Sequence, residues 1–365
     1  MPKPRLKVNN GLPKRWQFNH GAYYYRVPAG LESQWDGKKR FRLGTTLPEA
    51  YAAFAQRVSI PDRLQTVGDL LDRYSLEVVP NQLPKRQADS LRAIRRLRAI
   101  FGHMPMQAIV PAHIYQYVDR RRKPAKQADG TVKEVRALTS AHREIEVLSH
   151  AYTKAVQWGR LPRHPFLKEV RLDGDLALKP RDRHVEDWEV VEMLALRPKR
   201  AKGSVLMIQA YIRLKLLTGL ARSDLLRLRQ GEHLRDDGIH VTRHKTRGTT
   251  GKTTIYTYEQ VPERRAAVQE AIAARPCLSP FLFCKRDGQG YFDEATGQCH
   301  GWDSMWSRFM DRVISETKVS QRFTEHDLRA KVGSDAENLE RARALLQHAS
   351  AATTLRIYRR KAERV

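Results

Sequence analysis

Residues 345–358, LLQHASAATTLRIY, end in a tyrosine that follows His348 by ten residues. The segment HDLR, which contains His326 and Arg329, comes shortly before them. Because His326 and Arg329 are three residues apart, a helix would place both on one face. A histidine and an arginine can together bind two oxygens of one phosphate, and arginine binds such oxygens in pairs. Taken singly, these side chains could equally be a capping pair, a half-buried histidine and a packing tyrosine, Tyr358.

Two earlier segments belong to the same part of the chain. Residues 217–229 read LTGLARSDLLRLR, and residues 242–246 read TRHKT. The second lies on a predicted β-hairpin with arms at 239–242 and 253–258. Lys245 lies in the basic loop of that hairpin, where a lysine is usually solvated. No one of these segments decides a function by itself.

The four segments in this order resemble the catalytic domain of tyrosine recombinases, the phage integrase family. The family pattern is T-G-x-R-x-[SG]-[ED]-L, a hairpin lysine, H-x-x-R, L-L-G-H and a tyrosine about ten residues later. This chain has TGLARSDL, HKT, HDLR, LLQH and the final tyrosine. The resemblance implies that Tyr358 is the nucleophile and that Arg329, His326 and His348 bind the phosphate. It also implies that Lys245 is the general acid and that Asp224 orients an arginine.

The sequence departs from the family pattern at two positions. Ala221 stands where the first catalytic arginine is expected, and Arg222 follows one residue late. One residue rotates a side chain by about 100° on a helix. Arg222 therefore reaches the phosphate only if the turn after Gly219 is irregular, and otherwise the site lacks one arginine. Gln347 replaces the usual glycine beside the second histidine.

Charge and composition restrict the function class. The 365 residues carry a net charge of +27, which indicates a polyanionic partner, most often nucleic acid. No apolar run of about 18 residues is present, so neither a membrane span nor a signal peptide is expected. Three unevenly spaced cysteines favour a reducing, cytoplasmic compartment over a disulfide framework. A zinc site from Cys277, Cys284, Cys299 and His300 is an alternative whose spacing matches no usual ligand pattern.

The predicted fold class is multidomain and mainly α-helical, with small β-sheets. Residues 1–57 are expected to form a small basic β-rich module of the arm-type DNA-binding kind, with strands near 21–27 and 39–43 and a helix at 48–58. Residues 62–175 are expected to form a helical, SAM-like core-binding domain, with helices at 88–101, from 111, and at 139–158. A linker at 172–183 would precede a mixed α+β catalytic domain at 184–365.

Basic side chains recur along these predicted domains. Several helices of the second domain share arginine-rich faces, which favours a DNA-facing surface over a merely solvated one. The small first module could contact DNA through a basic sheet face or serve as a structural cap. The predicted DNA-binding residues are Arg92, Arg95, Arg96, Arg121, Lys39 and Arg40.

The resemblance implies a site-specific recombinase or integrase that cuts and rejoins DNA through a 3′-phosphotyrosine, without metal or other cofactor. Its partners would be double-stranded attachment sites of a phage or mobile element and three further copies of the chain in a tetramer. An accessory DNA-bending or directionality protein is a further partner that the resemblance allows. One alternative is a DNA-binding protein impaired in catalysis by Ala221. Another is a metal-dependent nuclease, but apart from Asp236 and Asp237 the carboxylates are scattered.

Overall fold

The computed structural model describes residues 7–58, 64–126, 131–199, 203–244, 251–299, 301–348 and 350–361. The chain divides into two compact units, Met1–Lys179 and Pro180–Val365. Their boundary falls inside the predicted linker at 172–183. The exact bounds of the three predicted domains remain predictions.

The first unit begins with a three-stranded antiparallel sheet in the order β1-β2-β3. Its strands are β1 (Trp16–Asn19), β2 (Ala22–Arg26) and β3 (Arg40–Gly44), and helix α1 (Leu47–Ala55) follows. The two residues between β1 and β2, His20 and Gly21, both have positive φ, as a tight hairpin turn requires. The strand β1 was not expected, because His20-Gly21 does not resemble a usual turn pair. Aromatic rings fill the space between sheet and helix, and Trp35 packs against Tyr25 in a tilted arrangement with ring centroids 4.6 Å apart.

Four helices complete the first unit. They are α2 (Val67–Glu77), α3 (Pro84–Phe101), α4 (Pro111–Arg120) and α5 (Leu138–Gln157). Buried leucine, isoleucine and aromatic side chains from all four join those of the sheet in one apolar core. Between α4 and α5 the chain forms an antiparallel hairpin of β4 (Arg122–Lys126) and β5 (Val132–Arg136). The sequence indicated only a loop at 127–132; of that range, residues 127–130 lie outside the described residues.

The second unit is a helical bundle with one small hairpin and its own apolar core. In chain order it contains α6 (Asp187–Leu194), α7 (Ser204–Thr218), α8 (Arg222–Leu225), β6 (Gly238–Thr242), β7 (Thr253–Thr257), α9 (Glu263–Ala273), α10 (Trp302–Glu316), α11 (Glu325–Asp335), α12 (Leu339–Leu345) and α13 (Ala351–Thr353). A short π-helical turn, Thr354–Tyr358, follows α13. The strands β6 and β7 pair antiparallel, as the sequence predicted.

These elements confirm the predicted mainly helical fold with small antiparallel sheets. Both two-stranded hairpins and the three-stranded sheet are antiparallel. Within the described residues, no helix is both long enough and apolar enough to span a bilayer.

Candidate active site

Helix α11 places two of the predicted phosphate ligands on one face. Its first turn is fixed by a capping box in which Asp327 accepts a hydrogen bond from the backbone N–H of Thr324 at 2.7 Å. His326 lies in this first turn, and Arg329 lies in the next turn of the helix. The start of the helix, set by Thr324, therefore determines where both side chains point.

Backbone carbonyls from two other segments hold Arg329 in place. The residue is 5% exposed, and its guanidinium donates to the carbonyl oxygens of Gly219 and Leu346. Gly219 ends α7 with φ 66°, and a Cβ there would lie 3.1 Å from Val332. Both the left-handed conformation and the tight space therefore favour glycine at this position, and the carbonyl of Gly219 accepts a hydrogen bond from Arg329. This explains physically why Thr218-Gly219 precedes the site.

Tyr358 lies against both histidines. Its hydroxyl is 3.0 Å from Nε2 of His326, and its ring centroid is 4.6 Å from that of His348. The guanidinium carbon of Arg329 lies 5.6 Å from the same ring. The approach is close because α11 has Gly333 at the contact, where a Cβ would lie 2.9 Å from the Cβ of Tyr358. The structure thus brings together four of the predicted site residues.

Hydrogen bonds fix the tautomer of His348. Its Nε2 lies 3.3 Å from a guanidinium nitrogen of Arg329, which can only donate, so Nε2 accepts. Nδ1 therefore carries the proton and donates to the hydroxyl of Thr354 at 2.9 Å. The ring is 8% exposed and oriented from both sides.

His326 has the opposite tautomer, and Arg360 is the reason. A guanidinium nitrogen of Arg360 lies 3.3 Å from Nδ1 of His326, which must accept, so the proton is on Nε2 and faces Tyr358. Burial and then the charge of Arg360 lower the pKa of His326 below its ordinary value of 6.5. Arg360 is itself held by Asp327 at 2.7 Å. Arg360 was not predicted as a site residue from the sequence. Its position two residues after Tyr358 was the only sequence feature that placed it near the nucleophile.

Arg222 turns away from this cluster. Ala221 is the extended residue that precedes α8, and Arg222 is the first residue of the helix. The Arg222 guanidinium lies 2.5 Å from a carboxylate oxygen of Asp303 and 3.5 Å from one of Glu325. Both ion pairs commit it to carboxylates. The structure therefore does not bring Arg222 to the nucleophile.

Asp224 contacts the segment that follows strand β6. The buried carboxylate of Asp224 accepts the backbone N–H of His244 at 3.0 Å, so it fixes the end of the segment that leads to Lys245. Lys245 itself lies outside the described residues. The predicted role of Asp224 in orienting an arginine remains a prediction.

A buried polar cluster beside α11 was not expected from the sequence. The carboxylate of Glu325 accepts from the hydroxyl of Tyr211 and from the indole N–H of Trp302, the latter at 3.2 Å. Lys215, 1% exposed, donates to the carbonyl of Leu220 at 3.1 Å and to the Tyr211 hydroxyl at 3.3 Å. Burial lowers the pKa of Lys215 to about 7. No motif signals this cluster, because its members come from three distant helices.

Gln347 occupies a backbone position that favours glycine. Its φ is 52°, in the left-handed region. Its side-chain amide donates to the hydroxyl of Tyr256 at 3.1 Å, and its carbonyl accepts from Arg243 at 2.8 Å. The glycine expected here would adopt the same turn without strain.

The predicted DNA-binding side chains of the first unit fall into two groups. Arg121 is bound in a bidentate manner by Glu144, at 2.9 and 3.0 Å, with a tenth of its side chain exposed. Arg95 donates to the backbone of Val8 and Asn10. These two side chains therefore already have structural roles.

The other four residues of that set are open to solvent. Arg92 pairs with Asp89 at 3.0 Å, Arg96 lies 3.3 Å from Glu144, and Arg40 lies over the ring of Tyr24. Lys39 is exposed as well. Their contact with DNA remains a prediction.

The three cysteines differ in exposure. Cys284 and Cys299 are buried and Cys277 is half-buried. His300, the fourth ligand of the alternative zinc site, lies outside the described residues. Among the described residues, no group of three or more Cys, His, Asp or Glu side chains is arranged to hold a metal ion.

The chain is similar to known proteins in structure, whereas comparisons by sequence find no match. No protein-family model matches the chain, and no curated protein matches it. A lambda integrase, solved as a tetramer bound to a Holliday junction, is 17% identical with a TM-score of 0.59; the match covers 99% of this chain and 98% of that one. The Tn1549 transposon integrase in complex with circular intermediate DNA is 16% identical with a TM-score of 0.59, over 80% of this chain and 94% of that one. The order of elements, the cluster around Tyr358 and these likenesses agree, and the chain has the fold of the tyrosine recombinases.

Proposed function

We propose that this protein is a site-specific DNA recombinase that cleaves and rejoins DNA through a 3′-phosphotyrosine formed by Tyr358. The observation that carries the proposal is the 3.0 Å contact between the Tyr358 hydroxyl and His326, beside Arg329 and His348. A buried arginine and two oriented histidines around a tyrosine hydroxyl form a site suited to a phosphodiester.

The chemistry is a transfer of one phosphodiester bond. The phenolic oxygen attacks the scissile phosphorus, the bond from phosphorus to the 5′ oxygen breaks, and the phenolic proton passes to water. Under this proposal Arg329 and the Nε2–H of His326 donate to the nonbridging oxygens, where negative charge develops. The 5′ oxygen leaves as a hydroxyl after taking a proton, for which Lys245 is the proposed general acid. Because the phosphotyrosine keeps the phosphodiester energy, another 5′ hydroxyl can reverse the step onto a new strand.

A nicked suicide substrate tests the proposal. Cleavage next to the nick releases a short fragment, so the covalent complex cannot be reversed. We expect a protein–DNA adduct that survives denaturation and carries a 3′-phosphate link to Tyr358. The variant Tyr358→Phe, which keeps the ring packing, should bind DNA and form no adduct. Failure of the unmodified chain to form an adduct on a DNA that it cuts or binds specifically would contradict the proposal.

A metal-dependent nuclease would behave differently in the same assay. Excess chelator should leave adduct formation unchanged under the proposed mechanism, because every cation assigned to the phosphate is a side chain. A metal-dependent cut would stop in chelator and would leave no protein on the DNA.

A second candidate is a DNA-binding protein of the same fold whose catalysis is impaired. The position of Arg222, paired with Asp303 and Glu325, favours it, since Ala221 then leaves the phosphate with one arginine. Removal of one oxyanion donor typically slows a reaction about 100- to 1,000-fold. Under this candidate, Ala221→Arg should raise the rate of adduct formation by about that factor, while Ala221→Met should not. A wild-type rate that Ala221→Arg leaves unchanged would exclude impairment at this position.

The partners follow from the proposed reaction. The substrate would be duplex DNA with paired attachment sites of a phage or other mobile element, and four copies of the chain would act on two such sites. The lambda integrase to which this chain is similar was solved as a tetramer bound to a Holliday junction, which supports this assembly. A DNA-bending or directionality protein would be an accessory partner. Sedimentation of the protein with an attachment-site duplex should then give a four-subunit complex.

A further inference from the structure

The hairpin of β4 and β5 is a basic ribbon that the first unit does not use in its core. Its ten strand residues, RKPAK and VKEVR, include five lysines or arginines and one glutamate. Neither strand contributes a residue to the apolar core of the unit. We call these two strands the ribbon.

Little within the unit covers the ribbon. Every strand residue whose burial is described is exposed except Ala125 and Val135, which are half-buried, and Val132 is 68% exposed. A two-stranded ribbon with no buried face is marginally stable in water. An exposed ribbon with this much positive charge is suited to binding a polyanion.

The base of the ribbon is nevertheless held firmly. Arg121, just before β4, is fixed by Glu144, and Arg136, the last residue of β5, lies 2.9 Å from Asp119. Arg122, at the same end, lines a groove of about 460 Å³ together with Arg96 and Arg120. The ribbon therefore projects from an anchored basic base.

The strand register places two exposed lysines on one face of the ribbon. Lys123 pairs with Val135, and Lys133 pairs with Ala125, so these four side chains share a face. Both lysines are exposed, and within the described part of the chain neither is paired with an acidic side chain. The opposite face carries Arg122, Lys126, the one glutamate and Arg136, which is ion-paired. The lysine face thus has two exposed lysines and no acidic residue.

We propose that the ribbon inserts into the major groove of duplex DNA and contacts the phosphates through Lys123 and Lys133. The major groove, about 12 Å wide and 8.5 Å deep, admits a two-stranded ribbon. Five residues per strand give the ribbon a length of about 16 Å, enough to span that depth. The inference rests on the proposed function only in that duplex DNA is the partner; it concerns a contact distant in the chain from the nucleophile.

Salt dependence of binding tests the lysine contacts. A 30-base-pair duplex of arbitrary sequence is titrated with Tyr358→Phe protein, which cannot cleave, at several salt concentrations. Removing one lysine–phosphate interaction lowers the slope of log K against log salt by about 0.9. Adding Lys123→Gln and Lys133→Gln should therefore reduce the slope by about 1.8, and Lys→Arg at both positions should restore it.

A matched control removes the same charge elsewhere. Lys168→Gln with Lys318→Gln deletes two exposed lysines to which no DNA contact is assigned. This pair should change the slope by less than half a unit. Equal slopes for the two double variants would overturn the proposal, whether or not Tyr358 forms an adduct.

Disulfide trapping tests the groove. Lys123→Cys should cross-link to a duplex that carries a thiol tether on cytosine N4, which opens into the major groove, and not to one tethered on guanine N2 in the minor groove. Lys168→Cys should react with neither above background. Trapping only from the minor groove would refute the major-groove assignment. A change in sedimentation of the ribbon variants without DNA, with an unchanged salt slope, would overturn the proposal and identify a second copy of the chain as the partner.

Discussion

The buried amine of Lys215 should make the stability of the second unit depend on pH in a defined window. Burial lowers the pKa of this side chain from 10.5 to about 7. Between these values the unfolded chain binds one more proton than the folded chain, so the free energy of unfolding rises with pH. Below pH 7 the folded unit bears the full free-energy cost of burying the charged amine. Above pH 10.5, the pKa of this lysine in the unfolded chain, that cost is absent.

The size of the effect follows from the same two pKa values. One pKa unit corresponds to about 1.36 kcal/mol, so raising the pH from 6 to 9 should stabilise the folded unit by about 2.5 kcal/mol through this group alone. Lys215→Met removes the titration. The difference in unfolding free energy between the wild type and this variant should therefore shift by about 2.5 kcal/mol toward the wild type over that range.

The three cysteines offer a local assay, because all of them lie in the second unit. Pulsed thiol modification of the buried Cys284 and Cys299 during urea unfolding reports the opening of that unit alone. Lys318→Met, which removes an exposed lysine, serves as the control and should show no pH-dependent difference. A wild-type to Lys215→Met difference that is the same at pH 6 and pH 9 would refute the reasoning.

Three further predictions concern the surroundings of the site and the first unit. Gln347→Gly should be about 1 kcal/mol more stable to urea than Gln347→Ala, because alanine keeps the left-handed strain and glycine relieves it; equal midpoints would contradict this. His326 has a lowered folded pKa, so its contribution to stability is present above pH 6.5 and is lost as the pH falls through the folded pKa; His326→Gln should flatten thermal stability measured between pH 5 and 7. Arg121→Met should cost about 3 kcal/mol by leaving the buried Glu144 poorly compensated, whereas Arg92→Met should cost less than about 0.5 kcal/mol, both measured by urea unfolding of the first unit.

The sequence predicted the part of the site that is encoded locally. His326 and Arg329 share a helix face because their spacing equals about one turn, and this can be deduced without a structure. That Tyr358 and His348 meet them was inferred only from the resemblance to a family, since spacing along the chain does not bring distant segments together. The structure adds the physical cause, which is that Gly219 and Gly333 allow the close approach of the other segments.

The contacts that the sequence could not reveal are pairs between distant segments. Glu325 lies just before His326 and outside the HDLR motif, yet its carboxylate accepts hydrogen bonds from Tyr211 and Trp302. Arg121 looked like a free DNA ligand because its partner, Glu144, lies one helix later. A charge run along a helix does not show which of its members are already paired within the fold.

The pairing of Arg222 determines what an arginine at position 221 would add to the site. Glu325 is 7% exposed, and its negative charge is compensated by hydrogen bonds and by the cations nearby, Arg222 among them. To reach a phosphate beside Tyr358, Arg222 would have to leave this carboxylate, and removing one partner from a buried ion pair typically costs about 3–5 kcal/mol. The pair is partly exposed at the arginine, which lowers that cost without removing it. An arginine placed at 221 would have no such tie and would add a donor to the site while Arg222 stays with Glu325, so the two positions are not interchangeable even though they are neighbours in the chain.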